Sequence, residues 1–322
     1  MTYRGAVHPT PVASPRKAAP AHVRVKPEVA VTAVVITAVS AVGVWLLWRV
    51  FVDTWAGQRV DQAALEGARY GQVELWQVAE HVLDVVSVGF IAAVLLAAVV
   101  IALVRRRWSL AVQVAVLMIG ANVTTRVLKL VVFERPDLGV AGVWGNTLPS
   151  GHTTAAASVA VALLLVVPPR VRPWAALLGA AYTTATGVST LVGQWHRPSD
   201  VVAAVLVVLA WSAGVCALVA LDQRPTSTST GMLPRVGRSG RPQMPAGVRR
   251  VAGLLVGCGV VVSAFAAGAL SSTWQQRMDL DTRGELLMAY AGGVSAVLAS
   301  ACLGFAVLLV LRHVAGTASV RV

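Results

Sequence analysis

Charge is scarce in this chain. Only 13% of its residues are Asp, Glu, Lys or Arg, against 57% that are hydrophobic, and the mean hydropathy is +0.72. That balance excludes a soluble domain of this length, so the sequence has to be read against the bilayer. Cysteine is scarcer still. Cys216, Cys258 and Cys302 all fall within apolar runs, and none sits at metal-ligand spacing from another, so they read as small membrane-buried apolar residues. Acidic groups are also few, 14 against 27 Lys and Arg, which leaves a net charge of +13. A nucleic-acid partner is excluded despite that charge, because the basic residues are spread over short loops without aromatic interleaving.

What the chain does have is long apolar runs. Candidate spans are Val29–Trp48, Val85–Val104, Trp108–Leu128, Ser150–Val167, Trp174–Val192, Val201–Leu221, Val251–Leu270 and Leu286–Leu311, set against the ~20 residues a spanning helix requires. This pattern predicts an all-α polytopic membrane helix bundle with six core spans and two C-terminal spans. An even number of spans puts both termini on one side. With the N-terminus inside, 18 of the 27 Lys and Arg fall in inner segments and 12 of the 14 Asp and Glu fall in outer ones. The basic asymmetry predicts a multi-pass protein of the cell membrane with both termini cytoplasmic. The same inner arginines would attract anionic lipid.

The composition divides the chain further. Residues 1–28, rich in Pro, Ala and basic groups, read as a disordered cytoplasmic tail. They do not read as a signal peptide, because the apolar run after them is long enough to span and has no convincing cleavage site. Residues 29–221 form the six-span core, 222–249 a flexible linker rich in Pro, Ser, Thr, Gly and Arg, and 250–322 a two-span hairpin. In the outer loop 53–84, Val60, Ala64, Ala68, Leu75, Val78 and Val82 recur at helical spacing, predicting one or two short helices lying on the membrane or the bundle.

Polar chemistry concentrates at three outer membrane edges. Lys129 and Arg135-Pro136 close one apolar run, Pro149-Ser150-Gly151-His152 opens another, and His196-Arg197-Pro198-Ser199-Asp200 opens a third. Cations, a helix N-terminus and two histidines converging at a bilayer surface are what phosphoester chemistry on a lipid headgroup requires. Each fragment alone has a plainer explanation. Ser-Gly-His reads as a helix cap, and Arg126 and Lys129 read as snorkelling anchors. Their order and placement together favour the site. The remaining histidines, His8, His22, His81 and His313, read as ordinary polar residues.

These residues resemble the type 2 phosphatidic acid phosphatase superfamily, membrane lipid phosphatases related in fold to vanadium haloperoxidases. The resemblance rests on Lys129 with Arg135-Pro136, on Pro149-Ser150-Gly151-His152, and on Ser189-Thr190 with His196 and Asp200, and it covers about residues 30–221. It implies His196 as the nucleophile, with Asp200 holding its ring in the attacking tautomer. His152 becomes the general acid and then the base. Lys129, Arg135, Ser150 and Gly151 become phosphate ligands, acting without a metal or other cofactor. The partners implied are a lipid phosphate or polyprenyl pyrophosphate and the surrounding membrane lipids. A phosphotransferase, or a non-catalytic lipid-phosphate-binding protein, are the alternatives.

Two departures stand out. The Lys-to-Arg spacing is one residue short, and Thr190 occupies the position where the family has an arginine that clamps phosphate. A hydroxyl cannot replace that bidentate fork, so the clamp is either weakened or relocated to Arg197 or Arg126, with Arg197 favoured because it directly follows the nucleophile. With 24 arginines against three lysines and abundant Ala and Val, the composition fits a high-GC bacterium.

Overall fold

The computed structural model describes residues 27–85, 108–143, 145–221 and 244–316, together with positions 93, 96, 97 and 100. Among them are nine helices and no strand: α1 (Pro27–Leu47), α2 (Trp55–Ala68), α3 (Gln72–Val85), α4 (Trp108–Val127), α5 (Gly151–Val166), α6 (Arg172–Val192), α7 (Pro198–Leu221), α8 (Ala246–Gln275) and α9 (Arg283–Gly316). The protein is an all-α, polytopic membrane helix bundle. Six helical stretches among the described residues are long and apolar enough to cross a membrane: Glu28–Val52, Trp108–Val132, Arg172–Val192, Pro198–Ala217, Ala246–Gln275 and Arg283–Ala315.

Two of the eight expected spans differ from this set. The run Val85–Val104 lies almost wholly outside the described residues, as do most of the N-terminal tail and most of the 222–249 linker. The expected span Ser150–Val167 forms a helix, but α5 has only 16 residues. At 1.5 Å per residue it reaches about 24 Å, short of the ~30 Å hydrocarbon core. Its burial explains why it need not span alone. Twelve of its 16 residues are buried against neighbours, chiefly α4, α6 and α7.

The packing places both ends of the chemistry-bearing helices together. α7 lies in the middle of the bundle, touching α1, α4, α5 and α9, and its Val201, Ala203, Ala204 and Ala213 are fully buried. The C-terminal pair α8–α9 packs on this centre. α9 contacts α7, α6 and α2 as well as α8. It approaches the start of α7 closely at Gly293, where a Cβ would come within 2.5 Å of Pro198 Cγ. Only a residue without a side chain fits that crossing.

Helices α1 and α4 each end in a π-helical turn, Trp48–Val52 and Leu128–Val132, a local widening frequent at functional sites. The second turn carries Lys129. Trp48 stacks on Phe133 at 5.2 Å between ring centroids, and its indole donates to the Glu134 carbonyl. The two ends are thereby joined just before Arg135. Helix α2 begins at Thr54, whose hydroxyl caps the Gly57 N–H at 3.0 Å. Its apolar residues Ala63 and Ala64 pack on Leu280, Leu286 and Ala289 of the C-terminal pair. The short helices predicted over residues 53–84 from residue spacing are therefore present, and α2 is buried in the bundle.

Candidate active site

Pro198 opens α7, its fixed φ suiting the first helical position. Asp200 follows within the first turn, one helical turn after His196. The i,i+4 spacing brings the two side chains together: His196 Nδ1 lies 3.2 Å from Asp200 Oδ2. An ionised carboxylate can only accept, so Nδ1 carries a proton, and in the neutral ring Nε2 keeps its lone pair. The same carboxylate oxygen accepts the Arg197 backbone N–H at 3.0 Å. Both residues are withdrawn from solvent, His196 at 7% exposure and Asp200 at 0%.

The second edge is tied directly to the first. Ser150 N donates to the Asp200 backbone carbonyl at 2.9 Å, and the Ser150 side chain caps α5 by accepting from Thr153 N at 3.3 Å. His152, in the first turn of α5, lies with its ring centroid 6.1 Å from that of His196. It packs on Trp195 at 5.3 Å, and Trp195 meets Trp76 of α3 edge-on. A Cβ at Gly151 would meet nothing within 4 Å, so there is open space beside its backbone.

Arg135 comes in from the third edge. Its side chain is 1% exposed, its Nη2 is 3.9 Å from Asp200 Oδ1, and among the described residues neither Nε, Nη1 nor Nη2 has a hydrogen-bond partner. Burial works against this charge, and Asp200 supports it. Lys129 lies within electrostatic reach of Asp200 and His152. Asn146 sets the loop between these edges. Its amide donates to the carbonyls of Lys129, Phe133 and Leu148, and its oxygen accepts from Leu148 N. Beside Arg135, a cavity of about 340 Å³ is lined by Pro136, Asp137, Gly139, Gly142 and Gly145 among others.

Residues 110–224 match the family model of the PAP2 superfamily. The match covers about a third of the chain and marks this segment as similar to a PAP2-superfamily core. It spans α4 to α7 and contains all three motif edges, leaving α1–α3 and α8–α9 outside the match. Superfamily members are phosphatases acting on lipid phosphates in membranes, so the match supports a membrane phosphoesterase in general. No curated protein and no solved structure matches the chain.

The matched segment thus brings His196, Asp200, His152, Ser150, Gly151, Arg135 and Lys129 to one end of the bundle. Arg126 is not brought in: it is exposed, and no hydrogen bond or ion pair joins it to the cluster among the described residues. Thr190, where the superfamily has arginine, is fully buried and turns its hydroxyl onto the Gly187 carbonyl at 2.7 Å. Its own carbonyl accepts from Trp195 N and His196 N. Among the described residues, no group of three or more His, Cys, Asp or Glu is placed to hold a metal ion.

Arg197 is 4% exposed and its guanidinium is shared out. Nε donates to Gln62 Oε1 at 3.0 Å, Nη1 to Thr147 Oγ1 at 3.3 Å and Nη2 to the Gly142 carbonyl at 3.4 Å. Those contacts join α2, the 137–147 loop and the start of α7. An ammonium cannot reach three acceptors on two segments with a planar fork. Arg197→Lys is therefore expected to lower the thermal midpoint by several degrees and kcat/KM by about tenfold, measured on the detergent-purified protein. A variant with unchanged midpoint and activity shows that the three contacts carry no weight.

Sequence reasoning missed the residues contributed by α2. Gln58, Asp61 and Gln62 are 0%, 3% and 1% exposed. Gln58 donates to the carbonyls of Val52 and Pro136, and Asp61 accepts from Ser199. A signal was present in their i, i+3, i+4 spacing, which puts all three on one helical face.

Proposed function

We propose that the protein is a lipid phosphatase that cleaves a lipid phosphate or pyrophosphate at the extracytoplasmic membrane surface through a phosphohistidine intermediate. The observation that carries this reading is the buried His196–Asp200 pair, facing His152 and flanked by a guanidinium that has no hydrogen-bond partner among the described residues.

In the first step the His196 Nε2 lone pair attacks phosphorus. The bond to the lipid oxygen breaks, its electron pair leaves with that oxygen, and His152 delivers the proton. Asp200 supports the positive charge that grows on the His196 ring. In the second step His152 takes a proton from water, the resulting oxygen attacks phosphorus, and the P–N bond breaks to release phosphate and restore His196. Arg135, Lys129, the Ser150 hydroxyl and the N–H groups at the start of α5 stabilise the equatorial oxygens. In this reading Arg197 braces the loop, and Arg135 carries the bidentate contact that Thr190 cannot make.

The test is phosphate release by the purified protein from phosphatidic acid, phosphatidylglycerol phosphate and a polyprenyl pyrophosphate, with and without a chelator, and with and without alcohol acceptors. Release unaffected by chelator is the expected result. Transfer to the acceptor in preference to water converts the reading to a phosphotransferase, and no turnover on any lipid defeats it. The membrane face is tested separately. A cysteine at exposed Glu134 should react with an impermeant maleimide on intact cells, and one at exposed Arg249 only after lysis. The opposite pattern overturns the orientation.

A further inference from the structure

The steps above leave one buried carboxylate of the site without a task. Asp61 of α2 is 3% exposed; its Oδ2 accepts the Ser199 hydroxyl at 2.5 Å and its Oδ1 the Ser199 N–H at 3.2 Å. The adjacent Gln62 accepts from Arg197 Nε. Helix α2 therefore grips residues 197 and 199 on either side of Pro198, while His196 and Asp200 stand one position further out on each side.

The start of α7 explains why that grip is needed. A helix end usually satisfies its free N–H groups with a Ser, Thr, Asp or Asn at the cap, answered by an acidic side chain three residues on. Here the answering half is present: Asp200 accepts the Arg197 N–H. The first half is missing, because Arg197 stands at the cap position and has no side-chain acceptor. Asp61 supplies the oxygen from another helix, and its negative charge lies where the α7 dipole favours it.

The geometry points to Asp61 as a positioning residue that caps α7 from outside the matched segment and so fixes the Asp200 carboxylate against His196. This inference rests on the reading that the His196–Asp200 pair performs the chemistry. The charged groups facing Asp61 are Asp200 on α7, Arg197 just before it and Arg135 on the loop after α4. Burial, then repulsion from Asp200, pushes the Asp61 carboxyl up to about 6, opposed by the Ser199 hydrogen bond and the two arginines. As pH falls through that value, Asp61 takes a proton, one of its oxygens becomes a donor, and the double acceptance from Ser199 is lost. Asp61 thus adds a second proton to the acid limb of activity, beside the one that His152 must shed before it can act as the base.

The experiment uses the full-length protein in detergent with two readouts. One is carbethoxylation of His196 by diethyl pyrocarbonate against pH, resolved by peptide mass spectrometry, which needs no substrate. The other is kcat and KM on whichever lipid phosphate the wild type cleaves. Asp61→Ala should lower kcat by about 10- to 100-fold with KM within about threefold, and slow His196 carbethoxylation at every pH. Asp61→Asn can still accept from Ser199 N, so it should recover part of that kcat and show a one-proton acid limb where the wild type shows two. Unchanged kcat or His196 reactivity in Asp61→Ala overturns the inference. So does a two-proton limb retained in Asp61→Asn, or a loss in Asp61→Ala that only tracks the fraction of unfolded protein. If the wild type cleaves no lipid phosphate, the proposed function fails, and the carbethoxylation readout still decides the role of Asp61.

Discussion

His196→Ala is expected to reduce phosphate release by at least about 10⁴-fold, because it removes the atom that receives the phosphoryl group. Two further results should accompany it. A wild-type reaction with radiolabelled lipid phosphate, quenched in alkali, should yield protein-bound phosphate that is stable to base and lost in acid, and the variant should yield none. Asp200→Asn should keep the ring in place while lowering kcat by about 10²- to 10⁴-fold. An amide at that position donates as well as accepts and no longer selects the tautomer with a free Nε2. Asp200 Oδ2 accepts two bonds, from the ring and from Arg197 N, so the amide must also surrender one of these or turn its NH₂ toward a donor. A His196→Ala protein that retains its turnover rules out the phosphohistidine route.

The residues of that prediction were readable in the sequence because their geometry is local. His196 and Asp200 are four apart at a proline-marked helix start, and Ser150 is three before the Thr153 N–H it caps. Local spacing of this kind determines contact without knowledge of the fold. Most spans were readable for a similar reason, since length and hydropathy are one-dimensional quantities. What could not be read is what depends on packing between distant helices. Gln58, Asp61 and Gln62 form a polar helix face, which ordinarily faces solvent. Here that face is buried against the start of α7 and the Arg135 loop.

Arg197 illustrates the same limit. As an arginine next to the nucleophile it reads as a phosphate ligand, and only the three-dimensional arrangement reveals Gln62, Thr147 and Gly142 as its acceptors. The short α5 is a third case. Its apolar sequence resembles a span, and its ability to stop short depends on the shell of α4, α6 and α7 around it. The close fit of Gly293 on Pro198 likewise joins the C-terminal pair to the start of α7 through a contact that no motif announces.

The second large effect is expected at Arg135. Burying a guanidinium without hydrogen bonds is unfavourable, because the charge and its five N–H donors lose water and gain little in return. The ion pair to Asp200 at 3.9 Å is too long to be a hydrogen bond. A phosphate dianion would supply the missing acceptors in the bidentate geometry that guanidinium favours. Arg135→Gln should therefore lower kcat/KM by about 10²- to 10³-fold, the loss typical of one preorganised donor to a developing anion. Arg135→Lys should recover only part of this, since an ammonium restores the charge without the fork. Phosphate or vanadate should raise the thermal midpoint of the wild-type protein, through a stabilisation of up to about 2.7 kcal/mol at a hundredfold excess over Kd. The same ions should leave Arg135→Gln unmoved. A variant that binds vanadate as the wild type does, or loses activity only by unfolding, shows that Arg135 is an ordinary structural cation.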